Sequence, residues 1–307
     1  MSTWENHVLK HYSRIEVREE IAKFSKFKWV ALHCEIRDEK GRQILIRYSK
    51  RGKEKIPINI KDANDILHLL STYSKFKPRT FYATANVYKK ISSIYDIRSL
   101  SNIIACTPTW DIDNDLRSWK ATIRVAEEIL HFLSKEGVEK SVFLKWSGKG
   151  IHVHLHQRSV SKDIYKKINP LNVAYAIVEY VNLKLFQVYK RIRRELNAIN
   201  LRVENKMDIQ RLFTCPLSLH RSLDMVAVCV NPNEIWDFSP DQASLNKFKH
   251  WKDWNRFEVG EADKIALKAY KVIGPYPKFA VRRNRYKRVE NAILKRISGF
   301  SNVNGPS

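Results

Sequence analysis

Thr109-Trp110-Asp111-Ile112-Asp113-Asn114-Asp115 is the stretch on which the reading of this chain turns. It follows the apolar run IIAC (103–106), and its pattern is strand-like until it stops at the acids. Side chains alternate faces along a strand, so Asp111 and Asp113 point one way while Ile112 points into the core. Two carboxylates a few ångströms apart repel each other. Holding both ionised needs a shared cation, typically Mg2+ or Mn2+, with substrate phosphates completing the shell. A solvated strand end followed by acidic turn residues is the competing reading.

Downstream, SVFLKW (141–146), the turn SGKG (147–150) and IHVHLH (151–156) read as strand, tight turn and strand. Gly148 and Gly150 around Lys149 allow close backbone approach to an anion, with Ser147 and Lys149 as donors. The string is not a Walker loop, because G-x-x-x-x-G-K-[ST] is not met. His152, His154 and His156 share one strand face. Three alternating histidines could ligate a transition metal, or form the exposed face of an ordinary hairpin. Further on, Met207–His220 places Asp208, Arg211 and His220 in a mostly apolar run, where an Asp at a strand start is also an ordinary cap.

The rest of the chain sets the frame. Its 307 residues hold 56 Lys+Arg against 32 Asp+Glu, a formal charge of +24, and 44% are hydrophobic. Such an excess points to a polyanionic partner, and the apolar content excludes general disorder. No apolar window is long enough to span a membrane. MSTWENHVLKHYSRIEVREE has no apolar signal core, so a cytoplasmic, nucleoid-associated location is expected. Cys34, Cys106, Cys215 and Cys229 form no C-x-x-C pair and read as buried, inert thiols.

Residues 3–26 read as one helix, 29–36 and 42–49 as a hairpin about Asp38–Gly41, 62–74 as a helix and 81–86 as a strand. Ser118 and Gly137 bracket a helix, and Asn169-Pro170 opens a long one to about 198. β character resumes through about 230, and helices are expected at 261–272 and 287–297. This mixed order gives an α+β fold. Two basic clusters suit phosphate-backbone contact: Lys190, Arg191, Arg193 and Arg194, then Arg282, Arg283, Arg285, Lys287 and Arg288. Solvated helix faces are their plain alternative.

Taken together, D-x-D, S-G-[KR]-G-x-H and D-x-x-R…P-x-[ST]-L-H occur in the order that resembles the archaeo-eukaryotic primase superfamily, most closely the small catalytic subunit of archaeal primase. The resemblance runs from FYATANVYKK (81–90) to about 240. It implies mixed sheets, with an RRM-like motif carrying the metal site, in a catalytic domain over 1–240 and a basic helical extension over 241–307. It also implies Asp111, Asp113 and Asp208 as ligands of a two-metal Mg2+ or Mn2+ site. Ser147, Gly148, Lys149, His152, Arg211 and His220 fall on nucleotide-binding positions, with His152 also near the chemistry. Lys149 replaces the usual arginine, and Ser222, beside Arg221, replaces a lysine. The family's zinc knuckle is absent between Asp115 and the next helix, so no structural zinc is expected.

The implied activity is synthesis of primers or short strands from NTPs or dNTPs on a single-stranded DNA template, alone or with a primase large subunit. A repair polymerase that only extends, a non-catalytic nucleic-acid-binding subunit and a His-ligated metal hydrolase are the alternatives. Tyr82 and Trp146 are candidates to stack on a base, or core residues.

Overall fold

Strand pairing builds two larger antiparallel sheets and three two-stranded ones in the computed structural model, which describes residues 5–277, and the central strands of the larger sheets are buried along most of their length. The strands of the two larger sheets are β1 (Val30–Arg37), β2 (Gln43–Ile46), β3 (Pro78–Thr84), β4 (Thr109–Asp113), β5 (Val142–Trp146), β6 (Ile151–Leu155), β7 (Arg202–Asn205), β8 (Leu212–Thr214) and β9 (Val228–Val230). The first sheet has the order β8-β3-β1-β2 and the second β7-β4-β6-β5-β9. Helices α1 (Ile15–Ser25), α2 (Trp119–Lys135), α3 (Pro170–Glu195) and α4 (Asp263–Ile273) complete an α+β fold.

The second sheet has two different faces. Helices α2 and α3 pack on one of them, where Trp110, Ile112, Ile151 and Val153 are fully buried. Trp110 Nε1 donates to the Val178 carbonyl of α3 at 3.3 Å, which fixes the helix over the strand. Phe24 of α1 and Phe213 of β8 pack on the other face against His154 and His152. Helix α3 starts as its sequence requires, with Asn169 Oδ1 accepting from Leu171 N at 3.0 Å and Pro170 in the first turn. Ser118 gives α2 no side-chain cap.

One expectation changes. The single helix over 3–26 is interrupted, because Arg14 is extended and α1 begins only at Ile15. Tertiary bonds account for the break: His11 Nε2 meets the Leu217 carbonyl at 2.8 Å, and Tyr12 OH donates to the Arg79 carbonyl at 2.5 Å. The described residues up to Pro275 gather into one compact unit. The helix expected at 287–297 and the basic residues Arg282–Arg288 lie outside the described residues. Among those described, no helix is long and apolar enough to cross a membrane.

Gly150 ties the fold to the acidic strand. A Cβ there would lie 2.1 Å from the Ile112 carbonyl oxygen and 3.2 Å from Asp113 Cα, so only glycine lets the turn before β6 lie against the end of β4. Gly150→Ala is therefore expected to cost about 1–3 kcal/mol of stability through forced backbone separation. Thermal denaturation checks this, and an unchanged melting temperature contradicts it.

Candidate active site

Strand register aligns one row of side chains across the second sheet. Glu204 of β7 pairs with Asp111 of β4, Asp111 with His152 of β6, His152 with Lys145 of β5, and Lys145 with Cys229 of β9. Directly paired residues share a face. The row therefore runs from the half-exposed Glu204 to the fully buried Lys145.

Lys206, just beyond β7, closes the acidic end of this row. Its Nζ lies 2.8 Å from Asp111 Oδ2, 2.9 Å from Asp113 Oδ2 and 3.0 Å from Glu204 Oε2. Arg211 Nη2 donates to the same Asp111 Oδ2 at 2.7 Å, and His152 Nε2 lies 3.3 Å from Oδ1. Burial alone would push the Asp111 carboxyl up. The adjoining His152 and Lys206 overcome that and hold it well below the usual carboxylate range. For Lys206 burial works against the charged form, but Asp111 and Asp113 outweigh it and raise the ammonium's pKa. His152 is lowered by its own burial despite Asp111, which keeps the ring neutral at neutral pH.

The Ser147–Gly150 turn lies next to this cluster, with Gly150 against the backbone of Ile112 and Asp113. Ser147 N and Oγ both donate to the Gly150 carbonyl, at 2.9 and 3.2 Å, which closes the tight turn. Gly148 has φ 122°, and a Cβ there would sit 2.4 Å from His220 Cδ2, so the turn lies directly on that ring. Lys149 is exposed at the tip. His220 Nδ1 accepts from Ser222 N at 3.2 Å and Leu223 N at 3.0 Å, leaving the proton on Nε2. Burial and then Arg221 and Lys149 pull its pKa down to about 4. At neutral pH His220 is thus an uncharged N–H donor. Arg79 holds the loop by donating to the His220 and Leu223 carbonyls at 2.9 and 3.1 Å. Tyr12 OH accepts from Leu219 N at 3.1 Å, so the N-terminal segment braces the same loop.

Other expected site residues sit elsewhere. Asp208 is not among the groups that meet at Lys206; its Oδ1 accepts from Gln210 N at 2.7 Å and closes a turn. His154 and His156 are buried rather than on an exposed hairpin face. His154 Nδ1 bonds Thr109 Oγ1, while His156 engages Asn255 Oδ1 and Arg158 N through its two nitrogens. His156 therefore has no nitrogen free for a three-histidine metal site. Trp146 is fully buried against Phe238 and belongs to the core, whereas Tyr82 is half-buried. Lys190, Arg191, Arg193 and Arg194 are exposed on the last turns of α3. Glu204 and Lys206 were not singled out from the sequence; Glu204 lies in β7 and Lys206 just beyond it, and both meet at the carboxylate cluster.

No family model matches the chain, and no curated protein matches it significantly. Among solved structures it is similar to the polymerase domain of Mycobacterium tuberculosis Ligase D in complex with DNA. That match has 12% identity and a TM-score of 0.49, covering 94% of this chain and 92% of that one. It is also similar to the AEP domain of the cyanophage S-2L primase-polymerase, with 13% identity and a TM-score of 0.32, covering 76% and 96% respectively. At these values neither similarity carries a functional conclusion.

At the buried end of the row, Lys145, together with Lys28, is buried, with the two ammonium groups 4.4 and 4.0 Å from the Phe24 ring centroid. Lys145 Nζ has no hydrogen-bond partner. Burial pulls the two pKa values down to about 8 and about 7. A lysine depressed on folding binds fewer protons in the native state than in the unfolded chain, so its penalty fades as pH rises towards the unfolded value. Lys145→Met should therefore raise the melting temperature most below about pH 8, with the gain shrinking as pH climbs towards 10.5. Thermal melts of both proteins across that range check this; a gain that grows with pH contradicts it.

Proposed function

We propose that the chain is a divalent-metal-dependent nucleotidyltransferase of archaeo-eukaryotic primase type, which synthesises short strands on a single-stranded DNA template. One observation carries the reading. An acidic cluster made by Asp111, Asp113 and Glu204 adjoins an anion-binding surface made by the Ser147–Gly150 turn and His220, with Gly150 seated on the backbone of Asp113. Nucleotidyl transfer needs both: an oxygen cradle for a hard cation and donors for the departing phosphates.

The donor set suits Mg2+ or Mn2+, since all three groups are carboxylates. Their oxygens stand 2.8–3.0 Å from Lys206 Nζ, an ammonium spacing. Magnesium needs about 2.0–2.1 Å, so the oxygens must draw in by about 1 Å once the lysine leaves. Accordingly, among the described residues no set of three or more His, Cys, Asp or Glu is gathered tightly enough for a metal ion. A metal held there supplies activation of a 3′-hydroxyl and neutralises charge on the α-phosphate.

The chain's own residues supply the rest. Asp111, Asp113 and Glu204 hold the cation, and Glu204 takes the place expected for Asp208. Neutral His152 orients Asp111 through Oδ1, while Arg211 fixes Oδ2. Lys149 and the Nε2–H of His220 hold the β- and γ-phosphates of the incoming nucleotide. The exposed basic end of α3 tracks the template backbone, so single-strand affinity falls steeply with salt.

An unprimed single-stranded template with labelled NTPs or dNTPs and Mg2+ or Mn2+ tests the reading. Product without a primer identifies priming, and product only with a primer identifies extension. No product in either case contradicts the proposal. Asp111→Asn is expected to lower incorporation at least about a thousandfold, worth ~4 kcal/mol, with single-strand binding within about twofold of wild type because no template contact is lost. Retained incorporation contradicts the role of Asp111.

A further inference from the structure

Lys206 Nζ lies at nearly the same distance from all three carboxylates. An ammonium has three N–H donors, and here it meets three acceptors, Asp111 Oδ2, Asp113 Oδ2 and Glu204 Oε2, at 2.8, 2.9 and 3.0 Å. A divalent cation bound to the same oxygens would need the volume that Nζ fills. The two cations exclude each other.

We propose that Lys206 is the resident counter-cation of the acidic cluster and competes with divalent metal for it, so that the lysine sets the metal concentration at which the site fills. The proposal rests on the metal-dependent reading above. Without a cation, three carboxylates sharing one rim would repel one another, and Asp111, whose side chain is only 4% exposed, could not be relieved by water. Lys206 supplies that cation in the metal-free protein. Its side chain is 25% exposed and its flexible four-carbon stem gives the ammonium a route to solvent.

The charge balance favours exchange. Asp111, Asp113 and Glu204 carry three negative charges, and Lys206 with Arg211 returns two. Replacing the ammonium by a divalent ion while Arg211 stays brings the group to neutrality. Arg211 is bonded to Asp111 alone among these carboxylates, so it need not move. Lysine rather than arginine suits this task, because a compact ammonium on a flexible stem leaves more readily than a forked guanidinium.

Direct Mn2+ binding to the full-length protein, followed through the electron paramagnetic resonance signal of the free ion, tests the proposal without a catalytic readout. Lys206→Met and Lys206→Gln should each bind Mn2+ at least about tenfold more tightly than wild type, which is ~1.4 kcal/mol. In chelator their melting temperatures should lie below wild type, and Mn2+ should raise them by more. Asp113→Asn serves as the control that the bound ion is at this cluster, and it should weaken binding. Equal or weaker Mn2+ affinity in both lysine variants, with Asp113→Asn still weakening it, overturns the competition and leaves the metal reading intact. No Mn2+ bound by any of the proteins at millimolar concentration overturns both.

Discussion

A carboxylate buried in the middle of a sheet is the constraint on which this molecule depends. Asp111 lies on β4 between two partner strands, with its side chain almost removed from solvent. Leaving such a charge unpaired costs several kcal/mol. Three neighbours prevent that, each from a different segment: His152 from β6, Lys206 from just beyond β7, and Arg211 from the approach to β8. Keeping Asp111 ionised therefore ties the central strands together and brings the start of β8, a strand of the first sheet, against a face of the second. Fold and site are held by the same bonds.

The Ser147–Gly150 turn and His220 depend on this arrangement through backbone contact. Gly150 can lie on the end of β4 only because neither partner has a side chain in the way, and Gly148 then meets His220. His220 itself is aimed by two amide donors that lock its tautomer, while Arg79 and Tyr12 hold the loop that carries it. The N-terminal segment thus contributes to the site without touching it. Breaking the helix at Arg14 is the local consequence of placing His11 and Tyr12 against that loop.

Much of this was legible in the sequence, because the informative signals are local. Alternation in TWDID and IHVHL put the acids and histidines on one face, and the glycines of SGKG marked the tight turn. Asn169-Pro170 marked the start of α3. What escaped reading depends on partners distant in sequence. The histidine face read as either a metal site or an exposed hairpin surface, yet Phe24 and Phe213 cover it from segments far away. Asp208 matched a motif position by spacing, and what spacing could not show is that its Oδ1 accepts from Gln210 N. Glu204 and Lys206 lie in a strand of four residues and its flank, too short for periodicity to stand out, and only pairing of β7 with β4 gives them meaning. The formal charge of +24 pointed to a polyanion, but it did not reveal that two of the cations are spent inside the site holding one aspartate.

The central claim is that the catalytic carboxylates are those that meet at Lys206. The most direct measurement compares template-directed nucleotide incorporation by Glu204→Gln and Asp208→Asn, with folding of each variant checked by its melting temperature. Asparagine at 208 keeps an oxygen for Gln210 N, so that variant should retain activity within about threefold, whereas Glu204→Gln should lose at least about a hundredfold, or ~2.7 kcal/mol. An inactive, well-folded Asp208→Asn beside an active Glu204→Gln would contradict the account.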